Sequence, residues 1–281
     1  MSGQTAFLSA LGHRWRTTRA HMRGSAIVLT YHRVGDVADD PHRLAVSHAH
    51  FVEQMEVIAA GHQTLTAAEL AVRVGTSNSL PRRAVIVTFD DGYAETHALA
   101  EPVLSTMKIR ATSFLCSDSI GKGGEYPWDA RLPEQADDSR EPGHDAKHVP
   151  RESRRVLASA EILELEARGV FEFAAHTRTH PRLSDLDEAA QRDEIMGGKA
   201  SLETLLGHPV RTLAYPHGGQ RDFDSTSTDL ASQAGFDAAF TTNPGIVLPS
   251  ADRFAIPRFH TEDIPGSAFR ELLNGWFDAA R

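Results

Sequence analysis

Short apolar runs alternate with segments of helical pattern along most of this chain. Each run is bounded by turn-forming or polar residues, as is typical of β-strands that are buried on both faces. Strands that alternate with helices predict a mostly parallel sheet or barrel, because each helix returns the chain to the same end of the sheet. The predicted strands are residues 26–29, 84–89, 111–115, 170–174, 210–214, 238–241 and 254–256.

The segments between these strands carry the start and stop signals of helices. Thr66 and Glu69 have the spacing of a capping box, in which each side chain accepts a hydrogen bond from the backbone of the other residue. Pro102 lies inside a helical pattern, and we expect a break or a late start there, because proline lacks a backbone donor. The predicted helices are residues 51–60, 70–74, 94–107, 159–168 and 184–206.

The chain is long enough for one large α/β domain, and we expect a single domain over residues 25–281. Residues 118–155 interrupt the alternation with glycine, proline and charged residues. A loop of this length is either functional or disordered, and we interpret it as an insertion on the rim of the site. Residues 1–24 are rich in arginine and are expected to form a basic arm or a short helix.

The composition excludes several classes of partner. The net charge of -9 argues against nucleic acid or an anionic membrane surface as the main partner. No apolar stretch approaches the roughly 20 residues that a membrane-spanning helix needs. The single cysteine, Cys116, excludes an internal disulfide, and together with the lack of a recognisable signal peptide it leads us to expect a cytoplasmic protein. The sequence does not predict an oligomeric state.

Two carboxylates follow one of the predicted strands directly. Asp90 and Asp91 come after the apolar residues 84–89 and before Gly92, which permits a tight turn. Consecutive strand residues point to opposite sides, so two adjacent carboxylates can reach one centre only where the strand ends. The carboxyl ends of parallel strands are also where α/β folds place their active sites.

Two histidines follow another predicted strand. His176 and His180 are four residues apart, a spacing that puts them on one face of a helical turn and allows both to bind one metal ion. Together with Asp90 and Asp91 they offer an Asp/His/His ligand set that suits zinc or a similar divalent cation, with one carboxylate left over. A metal site with a free carboxylate beside it can activate water against a carbonyl group, which predicts a metal-dependent hydrolase.

The sequence resembles the NodB-homology polysaccharide deacetylases, a family of carbohydrate esterases. The resemblance runs from about Ile27 to Arg258 and depends on residues 88–92, 176–181, 214–218 and 256–258. It implies a distorted (β/α) barrel of about seven strands. It also implies one divalent metal, usually Zn²⁺ and sometimes Co²⁺ or Ni²⁺ instead. The metal would be bound by Asp91, His176 and His180, and Asp90 would act as the general base.

This chain departs from the family pattern in its third motif. Ala214 stands where the family has an arginine, and His217 stands where a tyrosine is usual. We expect Arg258, after Pro257, to replace the missing arginine and to hold Asp90 in position. The backbone N–H near His217, beside Tyr215, is expected to stabilise the oxyanion.

The acid that protonates the leaving amine has two candidates. His32 ends the first predicted strand, where some exopolysaccharide deacetylases of the family carry the acid, and we favour it. His260 lies nearer the usual position at the C-terminal end. Trp128, in the insertion, is a candidate to stack on a sugar ring, although packing over the barrel mouth explains it equally well.

The resemblance implies removal of N-acetyl groups from a hexosamine-containing poly- or oligosaccharide or a glycan precursor. Two alternatives remain open at this point. The same site suits an O-acetyl ester, a non-sugar amide or a cyclic imide. A non-catalytic glycan-binding barrel is the other alternative, favoured by the missing third-motif arginine but disfavoured by the complete set of ligands and base.

Overall fold

Parallel strands form one curved sheet whose carboxyl ends meet at a common opening. The computed structural model describes residues 24–37, 40–75, 80–122, 126–129 and 154–279. Nearly all of the predicted basic arm and most of the predicted insertion over residues 118–155 lie outside these ranges. The division of the chain into an arm and a single domain therefore stays a prediction.

Within the described residues, seven strands follow one another across the sheet in the order β10-β1-β5-β6-β7-β8-β9, and all of these pairings are parallel. Every residue of β1 and β5 is buried, which explains why their sequences are continuously apolar rather than alternating. The seven strands are β1 (Ala26–Tyr31), β5 (Ala84–Phe89), β6 (Ala111–Leu115), β7 (Phe171–Ala175), β8 (Thr212–Ala214), β9 (Ala238–Phe240) and β10 (Phe259–His260).

Three shorter strands were not predicted. Strand β4 (Gln63–Leu65) pairs with the first half of β5, and β6 pairs with the second half. Strands β2 (Arg33–Val34) and β3 (Ala45–Val46) form a separate two-stranded sheet. Strands this short have no hydrophobic period that a sequence can display.

The predicted strand over residues 254–256 is wrong. Only Ile256 makes a bridge, to Phe240 of β9, and the strand lies farther along, where Phe259 pairs with Leu29 of β1. The segment 256–260 therefore spans the gap between the two ends of the sheet and completes a distorted barrel. Arg258 lies in the middle of this closing segment.

Helices cover the outside of the sheet. The capping box opens α2, since Thr66 Oγ1 accepts a hydrogen bond from Glu69 N at 3.3 Å and the Glu69 carboxylate accepts one from Thr66 N at 3.0 Å. The α-helices are α1 (His48–Gly61), α2 (Ala67–Ala71), α3 (Ala94–Met107), α4 (Ser159–Ala167), α5 (Glu188–Arg192), α6 (Gly198–Leu206), α7 (Ser225–Gln233) and α8 (Gly266–Ala279). None of the helices in the described ranges is long and apolar enough to cross a bilayer, and a cytoplasmic location stays a prediction.

Two helix predictions need correction. Helix α3 runs through Pro102 without a break. The lost hydrogen bond is offset by packing, because Ala100 and Leu104 on either side of the proline are fully buried. The predicted helix over residues 184–206 begins only at Glu188, after a 3₁₀ turn (Leu183–Asp185), and then continues to Leu206 through α5, a π-helical turn (Asp193–Gly197) and α6.

One histidine is buried in the outer core and makes two hydrogen bonds there. His97 Nδ1 lies 2.7 Å from the Tyr93 carbonyl oxygen, and Nε2 lies 2.9 Å from Ser113 Oγ. A carbonyl oxygen can only accept, so the neutral ring carries its proton on Nδ1. Burial lowers the pKa of His97 from 6.5 to about 4.

This burial predicts a loss of stability in acid. Since the unfolded chain binds the proton more readily, His97 does not reduce the free energy of unfolding above pH 6.5 but reduces it increasingly as the pH drops from 6.5 towards 4. The loss due to His97 is about 3 kcal/mol. Urea unfolding of metal-free wild type and of His97→Gln, at about pH 7.5 and about pH 4.5, should show the smaller acid loss in the variant. An equal loss in both proteins would contradict the assignment.

Candidate active site

Two adjacent carboxylates turn into one cavity at the end of β5. Asp90 follows the strand directly, and Asp91 and Gly92 both adopt left-handed conformations, with φ of 70° and 71°. A Cβ atom on Gly92 would lie 2.5 Å from Leu115 Cδ2, so this turn requires glycine for space as well as for conformation. Both aspartates are only 2% exposed and line a cavity of about 600 Å³.

Arg258 neutralises the first of these carboxylates. Its Nη1 and Nη2 each donate to one oxygen of Asp90 at 2.8 Å, and its Nε donates to the Thr241 carbonyl at 3.0 Å. The guanidinium is completely buried, and its Nη1 also reaches Thr88 Oγ1 at 3.2 Å. Burial raises the pKa of Asp90, but the charge and hydrogen bonds of Arg258, together with His176 and His32, outweigh it, and the pKa of Asp90 lies below its ordinary value. Asp90 is therefore ionised at neutral pH.

The second carboxylate meets the two histidines. The potential ligand atoms of Asp91, His176 and His180 all lie within 4.8 Å of one another. Asp91 Oδ1 is 3.7 Å from His176 Nε2 and 3.5 Å from His180 Nε2. It is buried and has no hydrogen-bond partner in the described part of the chain. Burial and the neighbouring Asp90 charge raise the pKa of Asp91 well above its ordinary value.

The protonation states of this trio fit a cation. His176 Nδ1 lies 2.7 Å from the Ala214 carbonyl and must donate to it, which leaves the Nε2 lone pair directed at Asp91. Burial lowers the pKa of His176 and of His180, so both rings are neutral and able to act as ligands. A buried carboxylate oxygen without a donor, close to the Nε2 atoms of two neutral imidazoles, is stabilised by a divalent cation.

The histidines converge through a loop and not through a helical turn, contrary to the prediction. Thr177 and His180 have positive φ values of 64° and 66°. The His180 N–H donates to Thr177 Oγ1 at 3.3 Å across this loop. A four-residue spacing is compatible with both conformations, so the spacing alone predicted the convergence but not its geometry.

The two acid candidates lie side by side but have different partners. His32 Nε2 is 3.9 Å from Asp90 Oδ2, and its buried Nδ1 has no hydrogen-bond partner in the described ranges. Burial lowers the pKa of His32 to about 4, against the opposing effect of the Asp90 charge. His260 is exposed, and its Nε2 lies 2.9 Å from the Arg43 carbonyl. The ring centroids of the two histidines are 5.7 Å apart.

The third-motif residues separate into one that faces the cavity and one that does not. His217 lines the cavity in a left-handed conformation, with its ring centroid 4.8 Å from that of His180. Tyr215 is fully buried outside the cavity lining, and its hydroxyl donates to the Phe254 carbonyl at 3.1 Å. Its N–H donates to Phe240 O at 3.0 Å, which leaves no donor for a substrate.

Trp128 forms one wall of the cavity. Its ring stacks on Tyr126 at 4.3 Å between centroids and lies 4.7 Å from the His180 ring. The indole Nε1 donates to the Tyr93 hydroxyl at 3.0 Å, which fixes the orientation of the ring. The part of the predicted insertion that contains Trp128 therefore lies at the rim of the site.

Four residues that line the cavity were not predicted from the sequence as site residues. His42 and Leu44 belong to a turn held by the Asp40 carboxylate, which accepts the N–H groups of Leu44 and Ala45 at 2.9 and 2.7 Å. An aspartate before a short loop is the only signal for this turn, and it says nothing of the direction in which His42 points. The four residues are Thr30, His42, Leu44 and Thr242.

Comparison with known proteins defines the class to which this barrel belongs. A family model described as polysaccharide deacetylase matches residues 77–239, more than half of the chain, and the chain belongs to this family. The resemblance to the NodB-homology deacetylases and the predicted fold class are thereby confirmed.

Individual relatives are distant in sequence. The putative polysaccharide deacetylase YxkH of Bacillus subtilis is 24% identical over 74% of this chain, and the match spans 63% of that protein. The poly-beta-1,6-N-acetyl-D-glucosamine N-deacetylase of Staphylococcus aureus is 21% identical over 91% of this chain and 84% of its own length. Among solved structures, the Streptococcus pyogenes deacetylase PplD in complex with acetate has the same fold, with a TM-score of 0.69 and 20% identity over 91% of this chain and 99% of its own.

Removal of Arg258 should destabilise the barrel strongly. Arg258→Met leaves the Asp90 carboxylate buried without its counter-charge, which costs about 3–5 kcal/mol of unfolding free energy. The double variant Asp90→Asn/Arg258→Met has no charge to desolvate, so it should lose less than the sum of the single variants. Urea unfolding of the four metal-free proteins measures this coupling. Additive losses would show that the pair does not interact.

Proposed function

We propose that this protein is a metal-dependent hydrolase that removes N-acetyl groups from a hexosamine-containing poly- or oligosaccharide or from a glycan precursor. The observation that carries the proposal is the pair of carboxylates in one cavity. Arg258 holds one of them, whereas Oδ1 of the other lies near two imidazoles and has no hydrogen-bond donor in the described part of the chain. Membership of the polysaccharide deacetylase family supports the reaction class, and the name of the S. aureus relative supports an N-acetylated glucosamine polymer.

Asp91, His176 and His180 would hold one divalent cation, Zn²⁺ in first place and Co²⁺ or Ni²⁺ as alternatives. Bound there, the cation supplies Lewis acidity, which makes water acidic enough for a weak base and polarises a carbonyl group. Of the three ligands, His176 is oriented most firmly, through its hydrogen bond to Ala214.

Asp90 is the general base in this proposal. Both of its oxygens accept hydrogen bonds from Arg258, so the carboxylate cannot rotate away from the cavity. It accepts a proton from the attacking water as the oxygen adds to the acetamide carbonyl carbon. Its lowered pKa makes it a weak base that remains ionised, and therefore available, well into the acid range.

His32 is the better candidate for the acid. It is partly buried beside Asp90, whereas His260 is exposed and its Nε2 is bound to the carbonyl of Arg43. Since the lowered pKa of His32 leaves the resting ring neutral, it must gain a proton during turnover. In the proposal the proton taken from water passes from Asp90 to His32 and then to the amine nitrogen as the C–N bond breaks, which yields acetate and a free amine. Asp90 Oδ2 and His32 Nε2 are 3.9 Å apart, so the first transfer requires the two groups to approach or a water molecule to bridge them.

The remaining cavity residues have supporting roles in the proposal. The His217 N–H has no acceptor in the described part of the chain and is the candidate donor to the oxyanion. Trp128 offers its exposed edge or face to a sugar ring, since Tyr126 covers the opposite face. Tyr215 has no part, because its side chain and its N–H are both engaged elsewhere.

Metal content distinguishes ligands from base. Wild type should bind about one divalent ion per chain by elemental mass spectrometry, and His176→Ala/His180→Ala should lose it together with activity. Asp90→Asn should keep the ion and lose turnover by about 10²-fold or more, because only the proton acceptor is removed. Full activity of Asp90→Asn would refute the assigned base, and wild type that takes up neither zinc nor cobalt would refute the metal centre.

The acid is assigned by comparing two matched substitutions. His32→Gln should lower kcat on an N-acetylated glucosamine oligomer by about 10²-fold. His260→Gln should change kcat little, because the His260 ring is bound to the carbonyl of Arg43. An acetate ester with a good leaving group does not need the acid, so His32→Gln should retain activity on it. The reverse ranking of the two variants would assign the acid to His260.

A further inference from the structure

The loop that joins the two histidine ligands is held from one side by the turn after β6. The carbonyl oxygens of Thr177 and Arg178 accept hydrogen bonds from the N–H groups of Ser117 and Asp118, at 3.1 and 3.0 Å. In addition, Cys116 Sγ lies 3.1 Å from the carbonyl oxygen of His176. The carbonyl groups of this loop thus have fixed partners that do not depend on a metal.

A single carboxylate holds the opposite side of the loop. Glu194 Oε2 accepts hydrogen bonds from the N–H groups of Arg178 and Thr179, both at 2.9 Å. Glu194 Oε1 accepts a third hydrogen bond, from Thr179 Oγ1, at 2.7 Å. All three donors belong to the residues between the histidines, so Glu194 contacts the loop itself and not the ligand rings.

The loop needs this support because its conformation is costly. Thr177 and His180 both have positive φ, and each non-glycine residue in that region costs on the order of 1–3 kcal/mol. Such a conformation persists only where surrounding contacts determine it. The three hydrogen bonds to Glu194 stabilise this backbone conformation, because they require the N–H groups of Arg178 and Thr179 to point to the same oxygen.

A local irregularity of the helix brings Glu194 close to the loop. Glu194 lies in the π-helical turn Asp193–Gly197, between α5 and α6, and π-helical turns are frequent at functional sites. Gly198, the first residue after this turn, packs against the loop backbone. A Cβ atom on Gly198 would lie 2.8 Å from the carbonyl carbon of Thr177. Because Gly198 has no side chain, the helix packs closely against the loop, and this brings Glu194 within hydrogen-bond distance of the loop N–H groups.

We propose that Glu194 is a positioning residue of the metal centre, which sets the Thr177–Thr179 loop and through it the placement of His180 relative to His176. The inference rests on the proposed metal site and assigns a role to a residue outside it. Groups that orient metal ligands change metal affinity by about 10- to 100-fold when they are removed. Glu194 therefore contributes to affinity although it does not touch the cation.

Neighbouring carboxylates provide matched controls. Asp193 and Asp118 pair with the guanidinium of Arg178, which is itself a loop residue, and not with the loop N–H groups. Replacing them would disturb the loop by another route, so they are less suitable as controls. Glu188, on the preceding helix α5, is exposed and pairs with Arg192 within its own helix. Glu188→Ala removes the same side chain as Glu194→Ala from the same region, without a contact to the loop.

The first measurement is the affinity of the purified full chain for Zn²⁺, titrated against a chelator. Glu194→Ala should bind zinc about 10- to 100-fold more weakly than wild type, with Glu194→Gln between them, because the amide oxygen keeps an acceptor but not the charge. Glu188→Ala should remain within about two-fold of wild type. Gly198→Ala should also weaken binding, although alanine ordinarily stabilises a helix relative to glycine.

The second measurement does not depend on metal. Hydrogen exchange of the Arg178 and Thr179 amides in the metal-free protein should be faster in Glu194→Ala than in wild type and unchanged in Glu188→Ala. The visible spectrum of the Co²⁺-loaded protein should also change in Glu194→Ala, since it reports the ligand geometry directly. Glu194→Gln and Gly198→Ala supply the same comparisons if Glu194→Ala does not fold.

Two results with Glu194→Ala alone would overturn the inference while leaving the proposed function intact. One is a folded Glu194→Ala with wild-type zinc affinity, and the other is unchanged exchange of the two loop amides. Equal weakening of zinc binding in Glu194→Ala and Glu188→Ala would also overturn it, since the effect would then be general electrostatics. Wild type that binds no divalent ion would remove the metal centre itself, and the role of Glu194 with it.

Discussion

The buried ion pair of Arg258 with Asp90 connects the closing segment of the barrel to the end of strand β5. Arg258 comes from the stretch that spans the gap between β9 and β1, and Asp90 directly follows β5. Taking a guanidinium wholly out of water is tolerable only because most of its donors have acceptors at good distances. The barrel is therefore closed by a neutral pair of opposite charges, and the carboxylate of that pair lines the cavity.

This pair also separates the behaviour of two carboxylates that are adjacent in sequence. Arg258 lowers the pKa of Asp90, whereas burial and the nearby Asp90 charge raise the pKa of Asp91. Neighbouring groups with such divergent environments are typical of sites in which one carboxylate performs acid–base work and the other has a different task. Within the described residues Asp91 has no paired guanidinium of the kind that Asp90 has, which is consistent with a cation as its partner.

The sequence predicted the parts of the fold that are governed by continuous burial. Strands β5 and β6 coincide with their predicted bounds, because strands buried on both faces form largely apolar runs that end at polar or turn residues. The two-residue strand β10 and the unbroken helix at Pro102 depend on contacts with distant segments, and no local pattern encodes such contacts. The placement of the last strand was wrong for this reason.

The candidate site divides in the same way. Strand ends predicted that Asp90, Asp91, His176 and His32 would gather, and the structure brings all four to one cavity. Tyr215 was expected beside them but points elsewhere, since the direction of a side chain after a strand depends on the conformation of the turn. His42 and Glu194 carried no motif, and only the folded loops reveal what they face.

Most of the non-glycine residues with left-handed backbone in the described ranges lie around the cavity: Arg43, Asp91, Thr177, His180 and His217. The mouth of the barrel is thus a region of local frustration, supported by a well-packed body. Selection for thermostability alone would favour glycine at these positions, because glycine adopts positive φ without steric cost. Such substitutions would relax the backbone but would remove side chains that give the cavity its chemistry, so the fold is held below its attainable stability by its own site.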